Sequence, residues 1–189
     1  MKKIPFETCA EILSRFELSE AGAAVALPEM TPADAVSALS TPETIFDLIN
    51  FFAHALPPRE GLCWALTLLA DAPKTSPDAV SARNTVRVWI DEPTERTRRR
   101  CGDLADAIGT EDPFGWLCNA VFWNGSGSIV TPDLPVVLPQ PYLHAKALFG
   151  AVGLLAPLDD DERAAFVHRV RETGLAVAGG AWPCLEGER

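Results

Sequence analysis

The sequence has no C-x-x-C pair, although it holds five cysteines, at positions 9, 63, 101, 118 and 184. An odd count without close pairs argues against a disulfide framework and against a zinc site, which needs clustered ligands. Four of the five lie among apolar residues or within apolar runs, and the expectation is buried free thiols in a reducing cytoplasm. Histidine is also scarce. His54, His144 and His168 share no H-x-x-x-H or H-x-x-E spacing, so no metal and no cofactor is expected. Basic charge is short: 16 Lys and Arg stand against 26 Asp and Glu, for a formal net charge of −10. A deficit of that size disfavours nucleic acid and anionic membrane as partners, and favours a basic protein partner. There is no apolar run long enough to span a bilayer, the longest near the C-terminal end being Ala147–Leu158. Lys2 and Lys3 are followed by Pro5, Glu7 and Glu11 instead of an apolar stretch, so no signal peptide is expected and the chain is read as cytoplasmic.

What is present is 189 residues with 48% apolar content, enough for one core. The chain is read as a single helical domain over 1–189. Residues 1–58 hold the N-terminal helices, 59–158 the central region, and 159–189 the last helix and a tail anchored by Trp182. Apolar residues recur at helical spacing almost throughout. A first helix is expected over 7–18, and Ala21–Leu27 is read as a loop or packed turn. Thr31-Pro32-Ala33-Asp34 is a helix start, with Thr31 capping, Pro32 in the first helical position and Asp34 in the first turn. Thr41-Pro42-Glu43 repeats it. Leu62–Ala70 is apolar on nearly every side and is placed at the centre. Asp71–Pro77 is a loop. Asp78–Asp91 should turn Ala79, Ala82, Val86, Trp89 and Ile90 inward and Arg83 and Arg87 outward. Pro93 begins the next helix and Gly109 ends it.

The stretch Asp112–Leu143 differs from its surroundings. It opens as a short apolar helix carrying Trp116 and Trp123, breaks at Asn124-Gly125-Ser126-Gly127-Ser128, and continues through Pro132, Pro135, Pro139 and Pro141. Four prolines exclude a helix and a central strand, so 129–141 is expected as a polyproline-like extended crossover. Val136, Val137 and Leu138 suggest that it packs down on the helices, and Pro132-x-x-Pro135 also fits a minimal proline-ligand pattern. The fold class that follows is all-α: an irregular bundle or stack of about eight antiparallel helices with one proline-rich crossover.

Several groups are candidates for chemistry. The turn at Trp123, Asn124 and Ser126 offers backbone amides to an anion, or it simply ends a helix. It is no P-loop, because the Lys-Ser/Thr pair is missing and the glycines follow a helix. Ser126, His144 and Asp133 are the residue types of a nucleophilic triad, but no G-x-S-x-G elbow carries them. Arg96, Arg98, Arg99 and Arg100 form a basic cluster, read either as intrahelical pairs with nearby acids or as a docking face. Asp159–Glu162 is read as a helix cap, since no glycine bend spaces it as a calcium loop.

Three pieces carry a resemblance: Pro57-Pro58-Arg59-Glu60 with Trp64, then Trp89-Ile90-Asp91-Glu92-Pro93, then Phe122-Trp123-Asn124-Gly125-Ser126 leading into the prolines. This succession, over Leu56–Leu143, resembles a bacterial family described as a domain of unknown function and found near type VI secretion genes. Asn124-Gly125 stands where the family pattern favours serine and glycine. The resemblance implies an all-helical bacterial cytoplasmic protein and supplies no catalytic residues. The expected function is therefore a non-enzymatic interaction protein. It would be an accessory, adaptor or chaperone-like factor whose partner is a secretion component or effector. The alternatives are an immunity-type or regulatory protein that blocks a basic toxin or enzyme, and a small-molecule site or enzyme near Trp123–Ser128.

Overall fold

A computed structural model describes residues 1–73 and 76–186. The loop expected over Asp71–Pro77 and the tail expected to Arg189 each run partly outside that range. Among the described residues the regular structure is entirely helical. It comprises α1 (Ala10–Leu13), α2 (Glu20–Val25), α3 (Pro32–Ala38), α4 (Ile45–Ala55), α5 (Pro58–Leu68), α6 (Pro77–Asp91), α7 (Glu95–Ile108), α8 (Pro113–Phe122), α9 (Leu143–Gly153), α10 (Asp160–Gly179) and a 3-10 turn, Pro183–Leu185. None of these helices is long and apolar enough to cross a membrane.

The helix starts follow their caps. Thr31 accepts a hydrogen bond from the Asp34 amide, Ser76 from Ala79, Thr94 from Thr97, and Asp159 from Asp161 and Glu162. The acidic run at 159–162 is thus a cap, as its position suggests. Thr41 is not one. Helix α4 begins after Thr44, whose side chain makes no cap bond. The Thr44 hydroxyl instead donates to the Leu39 carbonyl, 2.8 Å away, and pairs with Thr41. Thr94, and not Pro93, caps α7.

Two N-terminal expectations are corrected. The helix over 7–18 is only the four residues of α1, and 20–25 is a helix of its own. Asp47 accounts for the second. It is 4% exposed, and its carboxylate accepts from the Ser19 amide at 2.8 Å and the Ser19 hydroxyl at 2.6 Å. Ser19 in turn caps α2 through the Gly22 amide. A long-range carboxylate therefore fixes the start of the second helix at Ser19, which local periodicity does not reveal.

Helix α5 lies at the centre, as its all-round hydrophobicity requires. It packs against α6, α8, α9 and α10 and the 3-10 turn, and Leu62, Cys63, Trp64, Ala65 and Leu66 are all buried. The Trp64 indole N–H donates to the Val170 carbonyl on α10 at 3.3 Å, so its polar edge is satisfied. Helices α6, α7, α8 and α9 pack each on the next. Ala79, Ala82, Val86, Trp89 and Ile90 are buried as expected, while Arg83 and Arg87 are half-buried. One continuous core runs from Ile4 to Ala178.

Candidate functional site

Helix α7 is amphipathic, with Cys101, Leu104 and Ala105 inward. Arg98 lies one turn before Cys101 on the same side, so the fold buries it completely. A buried guanidinium must spend its donors, and Arg98 does. Its Nε and Nη2 donate to the two Glu95 carboxylate oxygens at 2.6 and 2.7 Å. Its Nη1 donates to the Phe122 carbonyl at 2.7 Å, and Nη2 also donates to the Ser128 carbonyl at 2.8 Å. The guanidinium carbon lies 4.9 Å from the centre of the Phe122 ring. Arg99 adds a bond from Nε to Glu95 at 2.8 Å and one from Nη1 to the Val130 carbonyl at 2.6 Å. The hydrogen bonds from Arg98, joined by those from Arg99, hold the Glu95 carboxyl down at about 2.

These two arginines grip the turn after α8. Trp123 ends that helix and is half-buried against the core, as is Trp116. The Asn124 side chain donates to the Val121 carbonyl and accepts from the Ser126 amide. This local ring leaves Gly125 at φ 93°, the left-handed region that glycine enters without a Cβ clash. Ser126 is exposed. Gly127 has a different reason: a Cβ there would lie 2.8 Å from Arg98 Nη2 and 2.9 Å from Glu95 Oε2. Gly127 is therefore the point at which the turn makes room for the guanidinium–carboxylate pair.

Beyond the turn the chain closes on itself. The Ser128 hydroxyl accepts from the Val130 and Val137 amides, and the Ile129 amide donates to the Val137 carbonyl at 2.8 Å. The segment between is a loop over 131–138 with no helix or strand. It does not pack down on the helices as expected. Leu134 is 53% exposed, Val136 75%, Val137 47% and Leu138 58%. The backbone clasp at Ser128 fixes the loop, so its apolar side chains are not needed for anchoring.

The structure thus brings Arg98 and Arg99 together with Trp123, Asn124 and the loop carrying Ser126. It leaves Arg96 and Arg100 exposed elsewhere, where they line a shallow recess of about 400 Å³ with Val88 of α6. The basic cluster is split into two faces. Of the triad residue types, Ser126 is exposed on the turn, Asp133 is exposed on the loop and His144 sits half-buried on α9.

A second polar cluster joins His54 and His144, which the sequence keeps on separate helices without a shared spacing. Arg15 lies between two rings, its guanidinium carbon 5.0 Å from Phe6 and 4.7 Å from Tyr142. It donates to the His54 carbonyl and to Glu11. His54 is 3% exposed, bonds the Asn50 carbonyl through Nδ1, and stacks on Phe16. Burial lowers the His54 imidazole below its ordinary value and takes His144 down to about 4, with the positive neighbours adding to the effect. Tyr142 stands at φ 61°, the one non-glycine residue with positive φ among those described. Phe6, Arg15, His54, Tyr142 and His144 line a cleft of about 290 Å³. Residues 6, 15, 54, 142 and 144 have no shared spacing, and only the fold assembles them.

A family model described as a family of unknown function, DUF6931, matches residues 35–178. No curated protein and no solved structure matches the chain.

Proposed function

The chain belongs to DUF6931, a family of unknown function, so no activity comes with membership, and we propose from its own surface that it is a non-enzymatic protein-interaction protein. The loop over 131–138 carries this reading. Leu134, Val136, Val137 and Leu138 stand in solvent, on a backbone clasped at Ser128 and riveted beneath by Arg98 and Arg99. Exposed apolar side chains on a fixed frame lose little conformational freedom on binding, which favours recognition. Prolines at 132, 135, 139 and 141 stiffen the frame further. The resemblance to a bacterial family found near type VI secretion genes supports a component of that apparatus, or an effector it carries, as the partner. The chain then serves as an accessory, adaptor or chaperone in the cytoplasm.

The test is co-expression of the full chain with each secretion component and effector encoded beside it, followed by native purification. One of them should co-purify. A Val136→Asp/Leu138→Asp double variant should lose it while melting at the same temperature. If no such component binds, or if the double variant binds as well as the wild type, the reading fails. The net charge of −10 supports a second reading, an immunity-type protein that covers a basic toxin. Rescue of growth on co-expression with a neighbouring toxin would select it.

A further inference from the structure

The polypeptide following α10 folds back over the middle of the molecule. The 3-10 turn packs on α5 and α6, and Trp182 carries Arg59 and Lys3 over its ring, at 4.8 and 5.8 Å from the ring centre. This return brings Cys184 against Cys63 of α5, 121 positions away in sequence, with the two sulfurs 2.7 Å apart. A disulfide needs about 2.05 Å, so closure asks for a shift of well under 1 Å. Cys63 is fully buried, while Cys184 is half-exposed. Cys184 also lines a recess of about 230 Å³ together with Thr67, Arg83, Arg87 and Glu186, which opens a path for a small oxidant to one sulfur of the pair.

We propose that Cys63 and Cys184 are a reversible oxidation site, closed to a disulfide by hydrogen peroxide, which fastens the C-terminal turn to the central helix. The two thiols share a proton across their contact. The hydrogen bond that Cys184 donates holds the Cys63 thiol below its ordinary value against the opposing effect of burial, and the same bond, with burial, pushes the Cys184 thiol well above its own. The sulfur that meets peroxide is the accessible one. Once the pair has lost one proton and the one left between the sulfurs sits on Cys63, the Cys184 thiolate attacks a peroxide oxygen; an S–O bond forms as the O–O bond breaks, and the departing hydroxide takes up a proton to become water. Cys63 then attacks that sulfur; the S–S bond forms, the S–O bond breaks, and the hydroxyl leaves as water with the Cys63 proton. In sum, two thiols and one hydrogen peroxide give one disulfide and two waters, with the sulfurs oxidised and the peroxide oxygens reduced.

The fold supplies its own control. Cys101 of α7 and Cys118 of α8 are also hydrogen-bonded to each other, but both are fully buried and line none of the recesses described above. They should stay reduced under the same treatment.

The experiment uses the full native chain, reduced and then exposed to equimolar hydrogen peroxide. The count of titratable thiols should fall by two, and the intact mass should drop by that of two hydrogen atoms. Digestion should yield one linked pair of peptides, carrying Cys63 and Cys184. Dithiothreitol should reverse all three changes, and the oxidised form should melt at a higher temperature because the link closes a long loop in the unfolded chain. Cys184→Ser should abolish the linked pair. The linked-peptide map is read on the wild type, so it stands even if that variant folds poorly. Five thiols still titrating once the peroxide is consumed would overturn the proposal. So would a Cys101–Cys118 link in place of the expected one, or Cys184 passing to sulfinic acid without closure.

Discussion

Arg98 has no exposed surface, yet it donates at 2.8 Å to the carbonyl of Ser128, thirty residues further along the chain. The bond ties the middle of one helix to the base of an exposed loop. Removing one partner of a buried, fully bonded charge leaves the others unsatisfied, at a cost of about 3–5 kcal/mol. Arg98→Ala should therefore lower stability by that order in a chemical denaturation series. Arg98→Lys should recover only part of the loss, because an ammonium cannot reach Glu95, Phe122 and Ser128 in one plane. Arg96→Ala, an exposed neighbour, should change stability by less than about 0.5 kcal/mol. Equal losses for Arg96 and Arg98 would refute the assignment of Arg98 as the rivet.

Two glycines in the same turn should respond for different reasons. Gly127→Ala drives a methyl group into the Arg98–Glu95 pair at 2.8–2.9 Å, so it should weaken the clasp and raise amide exchange over 128–137. Gly125→Ala meets nothing within 4 Å and carries only the left-handed backbone penalty, about 1 kcal/mol. If Gly125→Ala loosened 128–137 more than Gly127→Ala, the steric account would be wrong.

Tryptophan truncations should separate by burial. Trp64 is fully enclosed and bonded to Val170, so Trp64→Ala should cost about 3–5 kcal/mol. Trp116 and Trp123 are only half-buried, and each alanine variant should cost distinctly less. Thermal melts of the three variants side by side give the order.

Acid should act in two stages. His144 is held at about 4 in the folded chain, below an unfolded value near 6.5. Between those values the unfolded chain binds more protons, so stability rises with pH across that window and is lost as pH falls through it. The loss is on the order of 3 kcal/mol at most. Glu95, depressed to about 2, contributes stability that is present above its unfolded value near 4.5 and lost as pH falls further. His144→Gln should make the melting-temperature profile shallower between pH 6.5 and 4, leaving the share due to the likewise depressed His54 and the lower stage in place. An unchanged slope above pH 4 would exclude His144 as its source.

Much of the helical plan was legible because caps and periodicity are local. Thr31 with Pro32 and the all-round apolar face of α5 each announce their element within one or two turns. The misreadings sit where a distant group intervenes. Asp47 holds Ser19, which starts a second helix there. Arg98 does form the intrahelical pair that its spacing from Glu95 suggests, but its burial shows only once Phe122 and Ser128 come round to meet it. Val136 and Leu138 read as core until the Ser128 clasp shows that they are not needed there. The Arg15–His54–Tyr142 cluster joins α9 to the first turns of the chain, and no spacing rule connects them.

The Asp47–Ser19 latch also bears on where this molecule could be cut. Asp47 lies inside the interval that defines the family, and Ser19 lies outside it. A fragment trimmed to 35–178 would strip the cover from a carboxylate that is 4% exposed in the intact chain. It would also lose the Lys3 amide that bonds the Ala178 carbonyl, along with the Ile4, Cys9 and Ile12 contribution to the core. The stretch of sequence by which relatives are grouped should therefore be smaller than the unit that folds, and its expression alone should give aggregated or loosely packed material.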